Sequence, residues 1–283
     1  MSRIISLLAG VAALALAAEL QQITSFGPNP TNVSFYLYVP DSFRPSDPLL
    51  VYPHWCHGTA QDAFAAKPWR PLADELGFIT IYPSMIRWTL SNYDVDKDRV
   101  FVTGISSGAM MTNFLIGSYP ELFAAGSAFA GVPFGCYAGD GFAVWNSDCA
   151  TGQIDRTGKE WAELVHEAYP KYKGPRPKMQ VLHGSVDNIV NVTNYYNEIK
   201  LWTTILHTGL KPTRIEENNP QTHWTRYIYG RKGLFESFLA DGVDHDIPNQ
   251  ASEVVRFFEL DCTGKSYFSR KSLQFPANMF SEG

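Results

Sequence analysis

The chain has 283 residues, 45% of them hydrophobic, which is enough for one large core and suits a single α/β domain better than two. A formal net charge of −5 with only 18% charged residues leaves no basic stripe to neutralise phosphates, so a neutral substrate is expected and no nucleic-acid partner. The 14% aromatic content fits a large core and fits carbohydrate-facing surfaces equally well.

The N-terminus reads as a leader. Met1-Ser2-Arg3 is a short basic start, Ile4 to Leu16 is apolar, and Ala15-Leu16-Ala17 is a small-x-small cleavage site. The apolar run falls short of the ~20 residues that span a bilayer. Residues 1–17 are therefore expected to be a signal peptide, with maturation near Ala18, secretion to an extracellular compartment and no membrane partner. The sequons Asn32-Val33-Ser34 and Asn191-Val192-Thr193 make Asn32 and Asn191 candidate glycosylation sites. Four cysteines (Cys56, Cys136, Cys149, Cys262) allow three complete pairings. Cys136 and Cys149 bracket a short Gly-rich loop and are the favoured disulfide. No CxxC or HxxxH spacing accompanies the cysteines, so no metal site is expected.

Further along, Val33–Val39 alternates and reads as a half-exposed strand. Leu49–Tyr52 is a short buried strand that runs into His54-Trp55-Cys56-His57-Gly58. Ala60–Leu76 reads as helix interrupted near Pro68 and Pro71, Phe78–Tyr82 as strand, and Met85–Tyr93 as a short helix. Val100–Thr103 is an apolar β-branched run, followed by the turn Gly104-Ile105-Ser106-Ser107-Gly108. Helical spacing then places Met111, Phe114, Leu115 and Ser118 on one face, up to Pro120. Ala124–Ala130 reads as strand, Gly131–Gly152 as an unusually long loop, Glu160–Ala168 as helix and Pro177–His183 as strand. Asn194–His207 is a longer helix, Thr225–Tyr229 and Leu234–Leu239 are a strand pair, and Ser252–Glu259 is the last helix. This alternation predicts a mostly parallel sheet with helices on both faces, the α/β class, with no internal domain boundary.

The strand, G-x-S-x-G turn and helix around Ser106 resemble the nucleophile elbow of the α/β-hydrolase fold. There the turn is so tight that only small residues flank a serine thrust out at the sheet's C-terminal edge. In that fold the serine is followed by an acid and then a histidine, each on a loop after a later strand. Asp187 follows the strand Met179–His183 in the loop Gly184-Ser185-Val186-Asp187, with a turn-forming Asp that caps the next helix as the competing reading. Among the late histidines, His207 ends a helix and His223 opens a strand, whereas His245 lies in a loop between the last strand and the last helix. His245 would take the proton of Ser106 during attack, and Asp187 would fix the imidazole's tautomer and stabilise the imidazolium. The oxyanion donors would be the backbone N–H of Ser107, where the helix dipole also helps, and one from the His54–Gly58 stretch.

Longer segments carry a narrower resemblance: HWCHGTAQDAF, PWRPLADELGFITIYPS, GISSGAMMTNFLIGSYPELFAAGSAFAGVPFGC, WNSDCATGQ and YPKYKGPRPKMQVLHGSVDN. From about Leu20 to Leu260 the chain is similar to fungal acetylxylan esterases of carbohydrate esterase family 1, with feruloyl and polyhydroxybutyrate-depolymerase-like esterases close by. The resemblance implies a secreted serine esterase, monomeric and without cofactor, that deacetylates xylan of the plant cell wall through an acyl-enzyme. Ser106, Asp187 and His245 fall on the family's catalytic positions, Cys56 in its oxyanion loop, and Trp145 beside its substrate cleft. It assigns residues 18–262 to the esterase domain and leaves 263–283 as an unmatched tail. Three departures stand out. His57 replaces a small polar residue, the tail matches nothing, and Tyr82-Pro83-Ser84 runs directly into Met85 where the family carries a further segment. One alternative is a feruloyl esterase, whose pocket differs by an aromatic ring's width; the other, supported by the missing segment, is a catalytically impaired hydrolase-fold protein that binds polysaccharide. The missing segment also predicts uncovered apolar surface near Phe78 and Trp88.

Overall fold

The computed structural model describes residues 18–66, 68–82, 85–139, 141, 144–230, 233–262, 268 and 270–273. The expected leader 1–17, the junction residue Ser84 and most of the tail 263–283 lie outside the described residues.

The described strands form one sheet: β1 (Gln21–Ile23), β2 (Phe35–Tyr38), β3 (Leu49–Val51), β4 (Ile79–Tyr82), β5 (Val100–Ile105), β6 (Ala125–Phe129), β7 (Lys178–Gly184), β8 (Arg214–Glu217), β9 (Trp224–Tyr229) and β10 (Phe235–Ala240). Their spatial order is β1-β2-β4-β3-β5-β6-β7-β10-β9-β8. The central run from β4 to β10 is parallel, and both outer pairs are antiparallel. Strands β3, β4, β6 and β7 are buried along their whole length, as parallel strands covered on both faces must be.

The pleat sorts the core. Leu49, Val51, Ile79, Ile81, Val100 and Val102 point to one face. That face is covered by α3 (Ile86–Asn92), α4 (Ser107–Ser118), α6 (Gly158–Ala168) and α7 (Thr193–Ile205), with Ile86, Ile116, Trp161 and Trp202 in the same cluster. Leu50, Phe101 and Tyr82 point the other way, to α1 (Ala60–Ala65), α2 (Trp69–Leu76) and α8 (Ala251–Phe258). The result is a three-layer α/β/α sandwich, the α/β class expected from the alternation of elements. A helical turn, α5 (Ser147–Ala150), interrupts the long loop after β6.

The interruption expected near Pro68 is present between α1 and α2, whereas Pro71 lies within α2 and does not break it. Other features differ from the expectation. The edge strands β1 and β8 carry no alternating apolar signal, since their residues are almost all exposed. Phe78, expected to be partly uncovered, is fully buried in the cluster that also holds Tyr38, Trp69 and Tyr82. Trp88 stays partly exposed, as expected, with its ring edge-on to Phe35 at 5.4 Å. More apolar surface is uncovered on α4, where Met111 and Phe114 are each 45% exposed. Of the four residues that helical spacing placed on one face, Leu115 is buried with Ala109, Thr112, Asn113 and Ile116, while Met111 and Phe114 are exposed. As expected for a short connection, α3 spans seven residues and has no side-chain cap.

Candidate active site

The elbow is built by close backbone approach. Strand β5 delivers Ser106 with φ 55° and ψ −121°, a left-handed conformation that costs energy in any residue but glycine. Helix α4 begins at once with Ser107, whose N–H is among those at a helix start without an intrahelical partner. Glycine is required on both sides. A Cβ on Gly104 would sit 2.6 Å from the Gly108 backbone, and one on Gly108 would sit 2.3 Å from the Pro53 carbonyl oxygen.

The acid and the base arrive on the two loops that leave neighbouring strands. β7 and β10 run parallel, with His183 opposite Leu239 and Gly184 opposite Ala240. Their loops are tied together beyond the sheet edge. Val186 N–H donates to the Val243 carbonyl (3.1 Å), Ser185 Oγ donates to Asp241 (3.0 Å), and Gly242 N–H donates to Ser185 Oγ (2.9 Å). Gly184 permits this closeness, because a Cβ there would lie 2.2 Å from the Val243 carbonyl oxygen.

Asp187, His245 and Ser106 consequently stand in line. His245 Nδ1 is 2.8 Å from Asp187 Oδ2, and His245 Nε2 is 3.0 Å from Ser106 Oγ. A carboxylate only accepts, so Nδ1 carries the proton and Nε2 presents a lone pair to the serine hydroxyl. The other carboxylate oxygen accepts N–H bonds from Ile189 (2.9 Å) and Val190 (2.7 Å). Burial pushes the Asp187 carboxyl up, but the donors His183, His245 and Val190 outweigh it and hold the group well below the usual carboxylate range. His207 and His223 are not among the hydrogen-bond partners of Ser106 or Asp187. His183, which the motif reading passed over, also reaches this carboxylate: its Nε2 lies 3.3 Å from Asp187 Oδ2. The available signal was its position four residues before the acid.

The loop expected to supply an oxyanion donor folds over the start of α4. Ser107 Oγ lies 3.5 Å from the His54 carbonyl oxygen, and Gly58 N–H closes a turn on Trp55. Cys56 is exposed with a free thiol, and His57 adopts φ 61°. In the loop after β6, a disulfide joins Cys136 to Cys149, Cα to Cα 5.8 Å. Asn194 of α7 donates to the Cys149 carbonyl (2.9 Å) and Asn191 N–H to Ala150 (2.8 Å), so this loop leans on the Asp187 loop. Trp145 is not a core residue. It is 54% exposed, stands edge-on to Tyr137 at 5.4 Å, and lines a depression of about 250 Å³ with Tyr137 and Val144. Burial and the neighbouring Cys56 push the Tyr137 hydroxyl up to about 12. Among the described residues no cluster of side chains could hold a metal ion, and no helix is long and apolar enough to cross a membrane.

A mostly parallel sheet with a serine at a strained strand–helix turn, aligned on a histidine and a carboxylate from later loops, defines an α/β-hydrolase. The model of the prolyl oligopeptidase family matches residues 83–227. Feruloyl esterase B of Talaromyces stipitatus is 38% identical, covering 91% of this chain and 80% of its own. Acetylxylan esterase A of Emericella nidulans is also 38% identical, covering 85% of this chain and 89% of its own. The solved acetyl xylan esterase of Aspergillus awamori superposes with a TM-score of 0.83 at 36% identity, over 86% of this chain and 99% of that one. The chain belongs to the esterase family that these relatives share, within the prolyl oligopeptidase family of α/β-hydrolases, and is a carboxylic-ester hydrolase. A feruloyl esterase module from Clostridium thermocellum, 13% identical with a TM-score of 0.54, shares the fold alone. One shortfall accompanies the match. The alignment to the Talaromyces esterase runs over 289 positions, whereas 91% of this chain's 283 residues is about 258, so about 31 positions of the relative have no counterpart here.

Proposed function

We propose that this protein is a secreted serine esterase that removes acetyl groups from xylan. The observation that carries the reading is the unbroken line from Asp187 through His245 to Ser106, with both contacts at hydrogen-bond length. Ser106 Oγ attacks the ester carbonyl while His245 Nε2 takes its proton. The backbone N–H groups of Ser107 and of the Cys56 loop receive the oxyanion. His245 then returns the proton to the departing sugar hydroxyl, leaving an acetyl-serine. Water, activated by the same imidazole, releases acetate and restores the serine. The chemistry uses no cofactor. Residues 1–17 serve as the leader and 18–262 as the esterase domain. Asn32, in an exposed turn, offers a better glycosylation site than Asn191, whose Oδ1 accepts from both N–H and Oγ of Thr193.

Acetylxylan as substrate is supported by the names of the Emericella and Aspergillus relatives. A feruloyl ester is the second reading. It is favoured by the Talaromyces relative and by the exposed Trp145–Tyr137 pair, whose aromatic faces could stack on a ferulate ring. Comparing acetate release from acetylated xylan with hydrolysis of methyl ferulate by the purified protein separates the two. Acetate release with little ferulate release is expected, and the reverse ratio moves the assignment to feruloyl esterase.

A further inference from the structure

We propose that His183 is a second histidine on the acid of the catalytic line, a positioning residue that holds Asp187 Oδ2 in place for His245. The proposal rests on the assignment of Ser106, His245 and Asp187 made above. His183 stands on β7 four residues before Asp187, with its side chain fully buried. Its Nε2 lies 2.9 Å from the Val190 carbonyl oxygen and 3.3 Å from Asp187 Oδ2, the same oxygen that His245 Nδ1 reaches at 2.8 Å. A carbonyl only accepts, so Nε2 carries the proton and is shared between the two oxygens. The opposite nitrogen, Nδ1, is buried with no partner among the described residues, which fits a neutral ring protonated only at Nε2.

This arrangement has two consequences. One ring grips both ends of the Asp187–Val190 turn, because Val190 also donates its N–H to Asp187 Oδ1 at 2.7 Å. The carboxylate is thus held by donors on both oxygens and has no freedom to rotate away from His245. The shared Oδ2 also divides its charge between two N–H donors, so it stabilises a His245 imidazolium less than it would if His245 were its sole partner. The groups that face His183 are few. Asp187 and Val190 belong to its own loop, the Tyr195 ring of α7 lies 6.2 Å away, and His245 lies across the carboxylate. Asp241 is tied to Ser185 one step further out.

Two measurements test the inference on the full-length protein. The first compares His183→Leu with His183→Gln, whose amide N–H can replace Nε2–H. For His183→Leu, kcat on 4-nitrophenyl acetate should fall about tenfold or more with KM little changed, because the carboxylate is no longer aligned. The acid limb of its kcat/KM profile should move to higher pH, and His183→Gln should recover most of both. A folded His183→Leu enzyme with kcat within twofold and an unmoved acid limb overturns the proposal. So does a Gln variant that recovers neither while folding normally. The second measurement needs no variant. Nitrogen-15 shifts of labelled histidine should show His183 protonated at Nε2 and bare at Nδ1, and a ring protonated at Nδ1 overturns the proposal even if His183→Leu fails to fold. Ser106→Ala serves as the control: an active Ser106→Ala enzyme would sink the underlying assignment, whereas a dead one with the His183 result reversed sinks only this inference.

Discussion

The two flanks of α4 are built to opposite standards. At its N-terminus the backbone is locked between Gly104 and Pro53 at distances that admit no side chain, and Ser106 is fixed against His245. One to two turns further along, Met111 and Phe114 lie nearly half exposed, with Phe114 stacked on Phe134 and edge-on to Tyr119. α3, on the same face of the sheet, packs through Trp88 onto Phe35 of β2. The difference teaches that the reactive geometry is set by backbone contacts at strand ends and survives thin cover on a helix flank. About 31 positions present in the relatives are absent, yet the Ser–His–Asp line is intact. The shortfall therefore bears on stability and on the walls that grip a polymer more than on bond cleavage.

Substitutions at the locked end should have the largest effects. Ser106→Ala or His245→Ala should lower kcat on aryl acetates by about 10⁴ or more, and Asp187→Ala somewhat less, as read by steady-state kinetics. Replacing Cys136 and Cys149 by serine opens a loop with a sequence separation of 13. Urea melts should show a loss of about 3 kcal/mol at most. Gly108→Ala forces a methyl against the Pro53 carbonyl and should cost about 1–3 kcal/mol while also lowering kcat, since the serine moves with the helix.

A buried carboxyl between the two flanks gives a pH test. Glu198 of α7 lies under α4, accepts from Asn113 at 2.6 Å, and has no partner for its Oε2 among the described residues. Burial pushes it up from 4.5 to about 8, only partly opposed by the Asn113 hydrogen bond. Between those values the folded chain keeps a proton that the unfolded chain has released, so this group makes stability fall as pH rises from about 4.5 to about 8. Glu198→Gln should remove that slope, and its stabilising effect in denaturant melts should be larger at pH 8 than at pH 5.

The smallest effect belongs to the bare flank. Phe114→Ser should change stability by about 0.5 kcal/mol or less, in contrast to a core phenylalanine, which costs about 3–5 kcal/mol on truncation to Ala. If those positions fall after Ser84, as the sequence reading expects, a chimera that carries them there should reverse this. It should melt higher than the present chain and make Phe114→Ser costly. Equal melting temperatures would show that those positions cover some other surface.

Much of this was legible in the sequence because it depends on local rules. The elbow declares itself through Gly104 and Gly108, where a Cβ would collide with backbone, and the parallel sheet through fully buried strands alternating with helices. Asp187 and His245 could be found because each follows a strand in the required order. The edge strands β1 and β8 could not, since a strand with neither face buried carries no periodic signal. The spacing on α4 could not say which of its residues are buried, for a related reason. A helix apolar on nearly every side offers several plausible faces, and only its neighbours decide that Leu115 goes in while Met111 and Phe114 stay out. His183 read as the end of a strand, because its partnership with Asp187 forms only once the loop closes on Val190.

Labelling with a serine-reactive fluorophosphonate, followed by peptide mapping, tests the central claim most directly. The account predicts one adduct, on the peptide that carries Ser106, formed rapidly in the native protein, abolished by Ser106→Ala and slowed at least a hundredfold by His245→Ala. An adduct on a different serine, or ester hydrolysis by protein that takes up no label, would contradict it.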